Sequence, residues 1–373
     1  MQDYYDQHVF TDIPDAQFQL SWAGTLMEVF VNLMSPLAQV LASIFGFRVV
    51  LIAGTILASL GLELAGFSTK IWHLYLTQGV LFGAGASFLW VIAMGITPQW
   101  FNRRRGLALG LAASGGGIGG LVFPFFLTPL NNTLGVGWTY RILGFVCLVC
   151  DVITCIVIKE KFPAKKRMKK LSAILSLDVL KNSTFVIWII GSVISLAGYF
   201  VPYFFVPSYA SYIGLTPSQS SVLIAVMSAA NFTGRVVVGQ IGDMIGRLNA
   251  DIIFTFICGL SNLLIWNFAY SYGVLMAFSV IFGLTCGSYF ALMSPITATI
   301  LGMEKYPTGL SVLMLFSILA VFGPSISSAI ETHVNAEPYF TYKMFAGLAY
   351  VIGGVILVIL KMKMCKNKIF AKI

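Results

Sequence analysis

The chain has 373 residues, of which 58% are hydrophobic, 14% aromatic and only 10% charged, with a formal net charge of +9. A water-soluble domain carries about a quarter charged residues, and here the apolar residues fall in blocks of roughly twenty, the length that crosses a ~30 Å hydrocarbon core as a helix. A soluble globular fold is therefore excluded, and so is a nucleic-acid binder, because the basic residues lie between the apolar blocks and form no continuous face.

In chain order, residues 1–17 come first, with Asp3, Asp6, Asp12 and Asp15 and no basic run before an apolar one, so they do not read as a signal peptide. Apolar runs then predict eleven helices: 18–43, 49–68, 72–98, 106–130, 138–158, 184–211, 217–241, 250–270, 273–300, 307–330 and 340–361. Backbone in lipid must satisfy its own hydrogen bonds, which makes these runs helices and the protein all-α. Residues 159–183 divide five spans from six, and Lys165, Lys166, Arg167, Lys169 and Lys170 mark them as a basic linker. The expected organisation is an external segment 1–17, a five-span bundle 18–158, a linker 159–183, a six-helix bundle 184–361 and a basic tail 362–373.

With the C-terminus cytoplasmic, 20 of the 23 Lys and Arg fall on or near the inner side, leaving Lys70, Arg141 and Lys343 opposite. Positive loops stay inside, so this orientation is expected, in the plasma membrane rather than a vacuolar one. It places the N-terminus outside and gives an odd span count, from which a first helix is expected to be absent. Cys147, Cys150, Cys155, Cys258 and Cys286 sit in apolar runs and read as packing residues, while His8, His73 and His333 have no ligand spacing. Neither a metal nor a cofactor is expected. Asn131-Asn132-Thr133 fits a weak glycosylation pattern in a short external loop.

The two halves repeat. Gly46 and Arg48 match Gly246-Arg247, Phe82-Gly83 matches Phe282-Gly283, and Arg105-Gly106-Leu107 matches Thr308-Gly309-Leu310. Internal duplication of this kind marks transporters built from two repeats around a central site.

The stretch Gly239 to Arg247 resembles the Gly-x-x-x-Asp-x-x-Gly-Arg loop of the major facilitator superfamily. The stretch from Gln99 through Arg103, Arg104, Gly106, Gly110 and Gly115 resembles the signature entering the fifth helix of monocarboxylate porters, especially their fungal branch; Ser21 to Gly24 and Val80 to Gly85 fit that branch too. The resemblance implies a two-bundle fold of about eleven spans, five and six, lacking the family's first helix. Ser43 stands where the first half's motif has an aspartate. In the eighth helix of that family an aspartate and an arginine are paired four residues apart in animal members, and those positions here are Asn231 and Arg235, assigned to the substrate. Riboflavin is associated with some fungal relatives, so it stands beside a monocarboxylate as a substrate.

Arg235 leads the site residues on physical grounds also. A guanidinium stays charged and is costly at membrane depth unless paired or facing a wet cavity; Arg235 lies eight residues, about 12 Å, before Asp243. A carboxylate in low dielectric binds and releases a proton readily, which makes Glu28, Glu63 and Asp151, the acids read inside spans, candidates for proton coupling. Gly46, Arg48, Gly239, Asp243, Gly246 and Arg247 read as gate residues, since an acid near a helix end latches one conformation. Arg103 and Arg104 read as positive-inside anchors, and the glycines from Gly106 to Gly120 as close-packing positions.

The expected function is alternating-access transport of a small organic solute, a monocarboxylate or related anion, with protons and the lipid bilayer as further partners, in a monomeric or weakly oligomeric protein. The alternatives are another metabolite of the same family's range and a non-transporting sensor or fragment. An enzyme is disfavoured: His-Glu-x-x-His, Gly-x-Ser-x-Gly and a phosphate-cradling Gly-x-x-x-x-Gly-Lys are all absent.

Overall fold

The computed structural model describes Tyr5, Phe10 and residues 16–101, 103–161, 177–334 and 337–365. Among them only helices and turns occur. These are α1 (Ala16–Leu33), α2 (Ser35–Phe45), α3 (Phe47–Ala65), α4 (Gly83–Trp100), α5 (Arg105–Val157), α6 (Ser183–Tyr212), α7 (Pro217–Ile245), α8 (Arg247–Leu260), α9 (Tyr272–Cys286), α10 (Ser288–Val321), α11 (Gly323–His333) and α12 (Phe340–Met364). A short lead-in, Ile71–Leu74, and a π-helical stretch, Tyr75–Phe82, run into α4, and a second π-helical stretch, Ser261–Trp266, extends α8.

Nine described stretches are long and apolar enough to cross a membrane, and ten if the bent pair α1–α2 (41°) is one span. One of them, Tyr272–His333, has 62 residues, far more than a crossing needs. Gly302, at φ 74° and ψ 163°, breaks it within α10; dividing it there gives the eleven spans expected from the apolar runs. Gly135 (φ 78°) breaks α5 in the same way.

Packing divides the chain into two units. One holds Met1–Gln99 with Val122–Ser176; the other holds Trp100–Leu121 with Leu177–Ile373. The first part of α5 therefore packs with the second unit, although it precedes the basic linker in sequence. The linker residues 162–176 and the tail beyond 365 lie outside the described residues.

Each unit has its own core. In the first, Leu20, Leu62, Leu74, Val136 and Tyr140 cluster; in the second, Tyr209, Leu223, Trp266, Phe278 and Phe282 do. Helix starts follow their capping residues. Asn182 Oδ1 accepts from Thr184 N (3.0 Å) at α6, and Thr216 with Gln219 forms a capping box at α7, with Pro217 at the first position.

The internal duplication is physical. A Cβ on Gly83 would stand 2.8 Å from the Met27 carbonyl oxygen, and one on Gly283 would stand 2.5 Å from that of Met227. The same glycine-to-methionine contact recurs in each unit at positions 200 residues apart. The breaks at Gly46 (φ 86°) and Gly246 (φ 107°) repeat likewise, each joining two helices by a backbone conformation that only glycine adopts readily. Gly283→Val is expected to lower the melting temperature of the purified protein, costing about 1–3 kcal/mol from overpacking. Gly273→Ala, where a Cβ meets nothing within 4 Å, is expected to leave it unchanged or slightly raised.

Candidate functional site

Two helix starts and a hinge build the basic end of the second unit. The α7 helix ends at Ile245, Gly246 turns the chain, and α8 begins at Arg247. Asp243, in the last turn of α7, reaches the start of α5: its Oδ1 accepts from Gly106 N and its Oδ2 from Leu107 N, both at 3.0 Å. The free N–H groups and positive end of a helix favour an anion there, so the carboxylate caps α5 from another helix. Arg247 Nε and NH2 donate to the same Oδ1 at 3.4 and 3.3 Å.

The sequence permits this approach through glycine. A Cβ on Gly106 would stand 2.5 Å from the Gly239 carbonyl oxygen, and one on Gly239 would collide with that of Gly106. One turn further along α5, a Cβ on Gly110 would collide with the Arg235 carbonyl, and on Gly117 it would stand 2.6 Å from Phe232 N. Small residues at this spacing let two helix backbones touch. Gly115, by contrast, has nothing within 4 Å. Beside this contact, Arg103, Arg104, Leu107, Gln240, Asp243 and Arg247 line an open groove of about 770 Å³.

Arg235 lies eight residues before Asp243 on α7 and is 6% exposed. The sequence led us to expect a guanidinium facing a wet cavity; in this conformation it is held in a helix contact. NH1 donates to the Ala113 carbonyl at 2.6 Å, NH2 donates to Tyr199 OH at 3.4 Å, and the Phe290 ring lies 4.7 Å from Cζ. Nε is buried with no acceptor. Asn231, one turn earlier, donates Nδ2 to Cys286 Sγ at 3.0 Å. Both side chains pack on Gly287, where a Cβ would stand 2.8 Å from Arg235 Cγ and 3.0 Å from Asn231 Nδ2. Gly287, Tyr199 and Phe290 belong to this cluster and sequence reasoning missed them; the Cys286-Gly287 break between α9 and α10 was the available signal.

The acids proposed for proton coupling are in the first unit, with Arg235 in the second. Glu28, on α1, is half-buried. Glu63, on α3, packs against α5, where a Cβ on Gly144 would stand 2.7 Å from its Oε1, and Arg141 is its charged neighbour. Asp151 is half-buried on the same stretch of α5. Arg48 is exposed just after the Gly46 turn. It acts on Glu160, whose carboxyl is pushed above its ordinary value by partial burial and pulled back by the Arg48 charge. Ser43, at the position equivalent to Asp243, bonds only its own helix, donating to the Val40 carbonyl at 2.8 Å. The latch is thus built in one unit and lacks its acid in the other. No group of three or more metal-ligating side chains occurs among the described residues.

The sequence profile of the Major Facilitator Superfamily matches residues 11–265. The chain belongs to that superfamily. It is 29% identical to the MFS transporter asaE of Aspergillus flavus over 96% of this chain and 80% of the relative. It is 28% identical to the agnestins efflux protein AgnL12 of Paecilomyces divaricatus, over 97% and 82%. Among solved structures, the superfamily transporter FucP of E. coli, in an outward conformation, superimposes with a TM-score of 0.75 at 14% identity, covering 96% of this chain and 92% of that one. The protein is a multi-pass membrane transporter, not an enzyme.

Replacing Asp243 with Asn keeps the shape and removes the charge that α5 and Arg247 share. The expected loss to the closed contact is about 1–3 kcal/mol, read as increased thiol labelling of a cysteine introduced at Ser114, which is 1% exposed in the closed pair. Labelling equal to that in the parent would show that the carboxylate does not hold the contact.

Proposed function

We propose that the chain carries a small organic solute, a monocarboxylate or related organic anion, by alternating access, and that Arg235 holds the solute's anionic group. The observation that carries this reading is the state of the buried guanidinium. Its shortest acceptor bond is to a carbonyl of α5, the helix whose start is latched by Asp243, and its Nε has no acceptor. When the first part of α5 separates from α7, the Ala113 carbonyl leaves with it. A buried charge left unpaired costs several kcal/mol, and a carboxylate can replace the lost acceptor through a bidentate pair. A solute that binds only the opened arrangement shifts the equilibrium toward it, because a ligand moves a two-state system by its differential affinity.

The monocarboxylate class rests on the resemblance around Arg103 to Gly115 and on Arg235 at the family's arginine position; Asn231 stands where animal members have the paired aspartate. The concentration of Lys and Arg at one side of the spans supports a cytoplasmic C-terminus, and the gate then closes on the cytoplasmic side. Glu28, Glu63 and Asp151 are the candidates for taking up a proton in the first unit. A second reading, outward rather than inward carriage of the solute, is favoured by the agnestins efflux protein being among the relatives; it uses the same cation.

The test is uptake by reconstituted protein of radiolabelled lactate, pyruvate and riboflavin at two external pH values, with Arg235→Lys beside the parent. Lysine keeps the charge but loses the planar fork, so uptake of the carried acid is expected to fall at least about tenfold, equivalent to ~1.4 kcal/mol. Parent-level uptake by the lysine variant would overturn the assignment. Glu28→Gln with unaltered pH dependence would remove Glu28 from the coupling candidates.

A further inference from the structure

Asp251 lies on α8, one turn after Arg247, with its side chain turned into the second unit. It is 2% exposed, and its Oδ1 has no hydrogen-bond partner. It lines a small chamber of about 10 Å³ with Ser192 and Ser195 of α6, Ser288 and Tyr289 of α10 and Tyr350 of α12. The Ser288 side chain bonds the carboxyl. The hydroxyls of Ser192 (2% exposed) and Ser195 (5%) are buried and, like Oδ1, have no partner.

Three unsatisfied oxygens from two helices thus surround a space of about one water. A buried polar group without a partner is costly, and a buried unpaired carboxylate more so. Lys, Arg and His are absent from the lining, and Arg247, a turn below, is engaged by Asp243. The titratable groups facing the carboxyl are Tyr289, Cys286 and Tyr350, which are all neutral in their ordinary state. What the chamber lacks is one positive charge that accepts oxygen ligands.

We infer that this chamber is a binding site for one monovalent cation, a proton or a sodium ion, held by the Asp251 carboxylate with the Ser192 and Ser195 hydroxyls. Hard cations take oxygen donors such as carboxylates, as calcium and magnesium do, and a proton on the carboxyl would let it donate to a serine oxygen. Cys286 ties the chamber to the anion site, since its Sγ accepts from Asn231 and it also lines the chamber. The α8 helix that carries Asp251 begins at the Gly246 hinge, immediately after the Asp243 latch. Occupancy by a cation on one side of Cys286 and by an anion on the other is thereby placed on the same helices. That coupling rests on the transport reading; binding of the cation does not.

The test is thermal unfolding of the full chain in detergent, for the parent and Asp251→Asn, and it needs no transport. Sodium chloride is exchanged against N-methyl-D-glucamine chloride at constant ionic strength and fixed pH, and pH is then varied without sodium. A cation that binds only the folded state raises the melting temperature. For a sodium site, the parent is expected to gain at least about 2 °C at saturation, with no gain in Asp251→Asn. For a proton site, protonation neutralises the carboxyl as asparagine does, so the two proteins converge as pH falls and the parent becomes the less stable as pH rises. Parallel curves in both titrations would overturn the inference while leaving the transport reading untouched. If Asp251→Asn does not fold, Ser192→Ala with Ser195→Ala serves instead: a displaced midpoint in sodium or pH supports the site, and an unmoved one overturns it.

Discussion

The second unit depends on one carboxylate meeting the start of a helix. Asp243 satisfies two N–H groups at the head of α5 and is itself held by Arg247. That arrangement brings α5 and α7 together along Gly106, Gly110, Gly117 and Gly239, where any larger residue would force the backbones apart. Everything deeper follows from that approach, including the Arg235 bond to Ala113, which exists only because α5 lies against α7 over two turns. An interaction confined to a helix end and one acid is strong enough to hold a contact and local enough to be released. The proposed alternating access requires an element of this kind with two states.

Arg235 gives the closed state its cost. A guanidinium with a carbonyl, a tyrosine hydroxyl and an aromatic face around it is partly satisfied, and its Nε is not. Complete pairing would leave an anion nothing to add, whereas the deficit at Nε is what the proposed solute's anionic group would fill. Asn231, Gly287 and Cys286 keep this region tight, because a side chain at Gly287 would strike both Arg235 and Asn231.

The sequence carried the spans well, since about twenty apolar residues between charged punctuation admit few other structures in lipid. It also carried the Gly46 and Gly246 turns and the repeat, because glycine at a required positive φ and at a backbone contact leaves a positional mark. Asp243 was legible as an acid placed to meet helix-end charge. The partner was not: nothing local in Arg105-Gly106-Leu107 says that its N–H groups face an acid 136 residues away. Arg235 was legible as a charge at membrane depth that needs partners, but its surroundings were not, since Ala113 contributes only a backbone oxygen, to which sequence is blind. Asp251 escaped notice because it sits at the first turn of its span, where an acid normally reads as a solvated cap; only the fold turns it inward toward Ser192 and Ser195.

Alternating access as proposed requires the α5–α7 contact to be one of two states. Pulsed electron spin resonance distances between labels at positions 104 and 244, on the two sides of the groove, measure that separation directly in reconstituted protein. Two populations are predicted, with the longer distance growing when a carried carboxylate is added. A single distance, indifferent to any solute the protein transports, would contradict it.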